Sequence, residues 1–136
     1  MYKSILLPID LSEMEKGRMI IDVAQRLATK DTRIRLLNVV IDIPAFVAAE
    51  VPGEVIKTAM RTAKESLEAL IRAAGINADS EIRSGKPGPT ILTSADECGA
   101  DLIIVASHKP GLQDYFLGST AARVVRHAQC SVLVMR

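Results

Sequence analysis

An open parallel α/β sheet with helices on both faces is the fold class this sequence predicts, and three observations predict it. Short runs that are apolar almost throughout, such as Ile5-Leu6-Leu7-Pro8-Ile9 and Leu102-Ile103-Ile104-Val105-Ala106, have the pattern of strands covered on both faces. Between the strands lie longer segments whose apolar residues recur at helical spacing. The two kinds alternate along the chain as β-α-β-α-β-α-β-α-β, which requires right-handed crossovers and places helices on both sides of one sheet. At 136 residues, 49% of them hydrophobic, the chain is expected to form a single domain over residues 1–136.

The first strand, Ile5 to Ile9, runs into Asp10-Leu11-Ser12, which supplies capping residues for a first helix. From Ser12 to about Lys30, residues Ile20, Val23, Ala24, Leu27 and Ala28 trace one stripe with charged residues interleaved. Residues Ile34 to Val40 alternate and then become apolar, a second strand more buried toward its C-terminal end, followed by an irregular segment to Pro52. A second helix spans Gly53 to Ala74, with Gly75 as its stop. Ala78 to Arg83 sets Asp79, Glu81 and Arg83 on one side, as in a half-solvated edge strand. After a turn over Ser84 to Pro89, a third helix runs from Pro89 to Gly99 with proline at its favoured first position. Strand four is Leu102 to Ala106. A polar loop then leads to Gly118-Ser119-Thr120, a fourth helix and a closing strand, Ser131 to Met135.

Composition removes several function classes. With 17 basic and 16 acidic residues the net charge of +1 gathers neither nucleic acid nor a membrane surface. Trp is absent and four aromatics remain, too few for a base-stacking platform. The N-terminal apolar run is shorter than a signal peptide's h-region, and none approaches the ~18 residues of a membrane span. The expected location is the cytoplasm. Cys98 and Cys130 form no C-x-x-C pair and read as small buried hydrophobes rather than a disulfide or zinc site.

The residues that carry chemistry collect at strand C-terminal ends, where open sheets of this kind bind ligands at the reversal of winding. Gly118 lets an anion approach the backbone, and the N–H groups of the helix turn behind it, with the hydroxyls of Ser119 and Thr120, suit phosphate. The loop before it bears His108 and Lys109, and Asp10 closes the first strand, placed to accept from a ribose or base, to hold a divalent ion through water, or to cap the first helix. Gly85-Lys86 is no Walker A loop, because the glycine required earlier is Ser80, and G-x-G-x-x-G is missing. His127, at a helix C-terminus, complements the dipole there. No Ser-His-acid or Cys-His set can be assembled, so no catalytic residue is assigned.

Ile5 to Asp10 at the start, and Ala106-Ser107-His108 through Gly118-Ser119-Thr120 to Val124-Val125-Arg126-His127-Ala128-Gln129-Cys130-Ser131-Val132-Leu133-Val134 at the end, together resemble the universal stress protein family, in particular its small bacterial F and G types. The resemblance implies a five-stranded parallel sheet in the order 3-2-1-4-5 with four helices, like the adenine-nucleotide alpha hydrolases. It also implies a homodimer through the C-terminal strand, and ATP, with Mg²⁺, at the ends of strands one and four. By position, Pro8, Ile9 and Asp10 would border adenine and ribose, and Val39 would offer backbone to the adenine edge. Ala106, Ser107, His108 and Lys109, with Gly118, Ser119 and Thr120, would hold ribose and phosphates.

In ATP-binding members the glycine pattern is glycine, two residues, glycine, nine residues, glycine and serine or threonine. Here Ala106 and Lys109 stand at the first two glycines, and eight residues separate Lys109 from Gly118. A lysine there could replace the lost close approach with a charge-assisted contact. The leading expectation is a nucleotide-responsive stress-response dimer with at most slow ATP hydrolysis or self-modification. The alternative is a protein-interaction dimer that has lost nucleotide. An adenylating enzyme of the related hydrolase group would need a Ser-Gly-Gly-rich loop where Asp10-Leu11-Ser12-Glu13 stands.

Overall fold

Burial on both faces explains why the strands are so apolar. In a computed structural model describing residues 1–41, 44–107 and 117–136, Ile5, Leu6, Leu7, Ile103 and Ile104 are fully buried. The strands are β1 (Ser4–Pro8), β2 (Arg33–Ile41), β3 (Ala78–Gly85), β4 (Leu102–Ala106) and β5 (Ser131–Met135). The helices are α1 (Met14–Leu27), α2 (Ala45–Ala48), α3 (Gly53–Ala74), α4 (Pro87–Cys98) and α5 (Ser119–His127). All strand pairings are parallel, in the order β3-β2-β1-β4-β5, the order expected from the sequence resemblance.

The alternation of side chains along each strand divides the core in two. Ile5, Leu7, Ile34, Leu36, Leu102 and Ile104 face α1 and α3, through Ile20, Ile21, Ala24, Leu67 and Leu70. Leu6, Leu37, Ile103 and Val105 face α4 and α5, through Ile91, Ala95, Ala121 and Val124. The winding direction reverses between β1 and β4, and the crevice at their C-terminal ends is the position where the chemistry-bearing residues gather.

Several boundaries differ from the sequence expectation for local reasons. α1 begins at Met14 behind Glu13, which makes no side-chain cap, because Ser12 is held in a turn by Asp10. It ends at Leu27, which lies at the solvent-facing margin, while Ile21 takes a core position. The irregular segment after β2 contains the single-turn α2. α4 starts two residues early, so Pro87 rather than Pro89 is at the first position. Gly75 and Gly99 adopt left-handed conformations (φ 67° and 65°) and end α3 and α4; Gly75 is the expected stop, whereas Gly99, expected as the last helical residue, lies just past the helix. Cys98 and Cys130 are half-buried rather than fully buried. Burial, with the Asp101 and Asp96 carboxylates, pushes the Cys130 thiol up, which keeps it a neutral packing group.

The two sheet edges differ in character. β3 is polar, and Glu81 there accepts from Arg35 Nη1 on β2 at 2.9 Å, from Arg83, and from the buried Ser94 hydroxyl of α4 at 3.2 Å. Arg83 continues the network to Glu97, whose hydrogen bond holds the guanidinium pKa above its ordinary value. β5 is apolar: Leu133 and Met135 lean on one core layer, Val132 and Val134 on the other, and each stays half-exposed. No helix among the described residues is long and apolar enough to cross a membrane.

Candidate functional site

The crevice between β1 and β4 is built by the backbone as much as by side chains. At the end of β1, Ile9 donates its N–H to Leu37 O at 2.7 Å and accepts at its carbonyl from Asn38 Nδ2 at 2.9 Å. Its side chain turns into the α1/α3 layer beside Gly17, where an added Cβ would stand 3.3 Å from Ile9 Cγ2. Both polar groups of Ile9 are therefore committed, and Pro8 is the half-buried residue just before it. Asp10 is exposed; its Oδ1 accepts from Ser12 N–H at 2.9 Å and Ser12 Oγ at 2.6 Å. The carboxylate thus closes its own turn instead of capping α1, leaving Oδ2 for a further partner.

On the opposite wall, β4 ends at the half-buried Ala106, and Ser107 is 7% exposed. Its N–H donates to Met135 O at 2.7 Å, and its carbonyl accepts from Lys16 Nζ at 2.9 Å. Val39 on β2 is half-buried and packs on the α4/α5 layer. His108 and Lys109 lie outside the described residues.

The remaining wall is the start of α5. Gly118 is buried, has φ 86° and ψ 149°, and supplies no side-chain cap. Ala122 N–H bonds to Gly118 O at 2.9 Å, so the N–H groups of Ser119, Thr120 and Ala121 have no partner within the helix. Ser119 is exposed and Thr120 half-buried, and no acidic residue occupies the first turn. A helix start left uncapped, with its positive dipole end uncompensated, is suited to an anion. Among the described residues no group of three or more His, Cys, Asp and Glu side chains could hold a metal ion.

Pro8, Ile9, Asp10, Ala106 and Ser107 therefore stand at the ends of adjacent strands β1 and β4, and α5, which Gly118, Ser119 and Thr120 open, packs on the same layer as Val39. Sequence reasoning missed Lys16 and Asn38. Asn38 carried a faint signal, a polar residue inside an otherwise apolar strand run. Lys16 carried none, since a lysine in the first turns of an amphipathic helix reads as a solvated charge.

The profile of the Universal stress protein family matches residues 1–136. The chain belongs to that family. It is 30% identical over 142 residues to Universal stress protein G of Shigella flexneri, the match covering 100% of both chains. Among solved structures it is similar to the protein described as hypothetical protein MJ0577, with a TM-score of 0.82 and 28% identity over 99% of this chain and 96% of that one. The fold, at 18% identity and a TM-score of 0.69, is also that of the universal stress protein from Archaeoglobus fulgidus solved in complex with dAMP, over 99% of this chain and 98% of that one.

Proposed function

We propose that this universal stress protein binds ATP in the β1/β4 crevice and acts in the stress response as a nucleotide-responsive dimer in the cytoplasm. The observation that carries the reading is the α5 start: a helix end with no side-chain cap among the described residues, behind a buried glycine that has no side chain of its own to block the approach. Ser119 and Thr120 hydroxyls and the free N–H groups would take phosphate oxygens. Asp10 Oδ2 would accept from the ribose, and Pro8, Val39 and Ala106 would border the nucleoside. Ile9 would contribute shape rather than polar contacts, since its backbone groups are bonded already. Lys109 would supply charge to the outer phosphates, and His108 and Ser107 would flank the ribose. The A. fulgidus relative holds dAMP on the same fold, which supports the fold's capacity for an adenine nucleotide.

Mg²⁺ would be held mainly by the phosphates, with Asp10 reaching it through water. The dimer reading rests on β5, an apolar edge strand whose outer N–H and C=O groups face away from β4; a two-fold pairing would cover them. The test is calorimetric titration with ATP, with and without Mg²⁺, together with analysis of the purified protein for carried nucleotide. Micromolar binding supports the reading. No nucleotide carried and no heat on titration would favour the second reading, a protein-interaction dimer. Ala106 at the first glycine position and the shortened loop are the observations behind that alternative.

A further inference from the structure

Lys16 ties the start of α1 to the residue that follows β4 at the crevice. It sits in the first turns of α1, yet its Nζ donates to the carbonyl of Ser107, 91 positions away in sequence, at 2.9 Å. It also pairs with Glu13 at 3.1 Å, and its side chain is only 21% exposed. A solvated lysine has no reason to adopt this arrangement. Fixing so flexible a side chain costs conformational entropy, and a part-buried charged donor on a carbonyl is among the stronger hydrogen bonds available to offset that cost.

The recipient carbonyl belongs to Ser107, the residue that follows β4, and the N–H of the same residue is bonded to Met135 O at 2.7 Å. Ser107 is thus held from both sides, by β5 through its N–H and by α1 through its carbonyl. Two bonds at one residue fix the direction in which the chain leaves the sheet. Without Lys16, the Ser107 carbonyl would be a largely buried acceptor lacking that partner, and Ser107 would be held by its N–H bond to Met135 O alone, a bond that then opens more readily.

We infer that Lys16 is a positioning residue for the nucleotide: it sets the exit of β4, and so the nucleoside wall, without touching phosphate. This rests on the proposed function above. Glu13 pairs with the same ammonium at 3.1 Å, so the lysine charge is partnered where it sits.

The experiment compares wild type, Lys16→Met and Lys16→Arg, titrating each with adenosine, AMP and ATP and following amide exchange at Ser107 without ligand. Methionine keeps the stem and removes the donor; arginine restores a donor. For Lys16→Met the expected result is binding about ten-fold weaker for all three ligands alike, with Ser107 exchange faster by a similar factor. Lys16→Arg should recover most of both. A loss that grows from adenosine to ATP would make Lys16 a direct phosphate contact and overturn the inference. Unchanged Ser107 exchange, or weakened binding that arginine does not restore, would overturn it too. If wild type binds none of the three ligands, the proposed function fails and this role of Lys16 fails with it. That outcome is distinct from wild type binding normally while the Met variant binds equally well.

Discussion

Replacing Gly118 tests the site through its backbone. Gly118 sits at φ 86° and ψ 149°, close to the region that only glycine occupies readily, whereas Gly75 sits at φ 67° and ψ 29°, in the left-handed helical region that asparagine tolerates. An alanine forced to keep the Gly118 angles costs on the order of 1–3 kcal/mol. At this chain length that corresponds to a thermal midpoint lower by roughly 3–5 °C for each kcal/mol. Space is not the issue at Gly75, where an added Cβ meets nothing within 4 Å, so Gly75→Ala isolates a pure left-handed cost of about 1 kcal/mol. The decisive comparison is asparagine. At Gly75 it should recover most of what alanine loses. At Gly118 it should recover nothing, because its side chain stabilises the left-handed helical well and not the extended positive-φ one. Relief of the strain at Gly118 would turn the peptide that aims the α5 N–H groups, so ATP affinity should fall in both Gly118 variants and in neither Gly75 variant. Thermal denaturation and calorimetric titration of the four variants measure both effects. Recovery of stability or binding by Gly118→Asn would refute the conformational argument.

Three further outcomes are expected. Glu81→Gln should cost about 2 kcal/mol, since two part-exposed arginines and the buried Ser94 hydroxyl lose one carboxylate acceptor; urea denaturation measures this, and a cost below about 0.5 kcal/mol would mean the network is ornamental. Asp101 accepts from Lys3 N–H at 2.8 Å and Ser4 N–H at 3.0 Å, bonds that hold its carboxyl below the ordinary value against an opposing desolvation. A depressed carboxyl contributes stability above its unfolded-state pKa and loses it as pH falls through the folded one. The gap in urea midpoint between wild type and Asp101→Ala should therefore be full at pH 6 and close under strongly acidic conditions, and a gap independent of pH would refute it. Lys109→Ala should weaken ATP more than AMP in calorimetry, whereas equal losses would remove its charge from the outer phosphates.

Much of the fold was legible because its determinants are local or periodic. β4, β5 and α3 coincide with the apolar run, the closing strand and the helical stripe read from sequence, and Gly75 and Gly99 stop their helices as their chemistry requires. Boundaries slipped where two local signals competed. Ser12 is a good cap residue, but Asp10 captures it in a tighter turn. Pro87 and Pro89 both suit a first helical position, and the chain uses the earlier one.

The sequence by itself determined which segments are strands and helices, that the sheet is parallel and covered on both faces, and that a glycine-led helix start follows the most apolar strand. These follow from composition and spacing within each segment, where burial imposes an apolar pattern directly, and from the order in which the segments alternate along the chain. Only the tertiary structure decided what the polar groups at the strand ends do: Asn38 held to Ile9, Lys16 to Ser107, Arg35 to Glu81. Each of those bonds joins residues from 29 to 91 positions apart, so it exists only once strand order and register have brought them together. A pattern within one segment fixes which face is buried, but a long polar side chain has many possible partners until the packed sheet leaves one within reach.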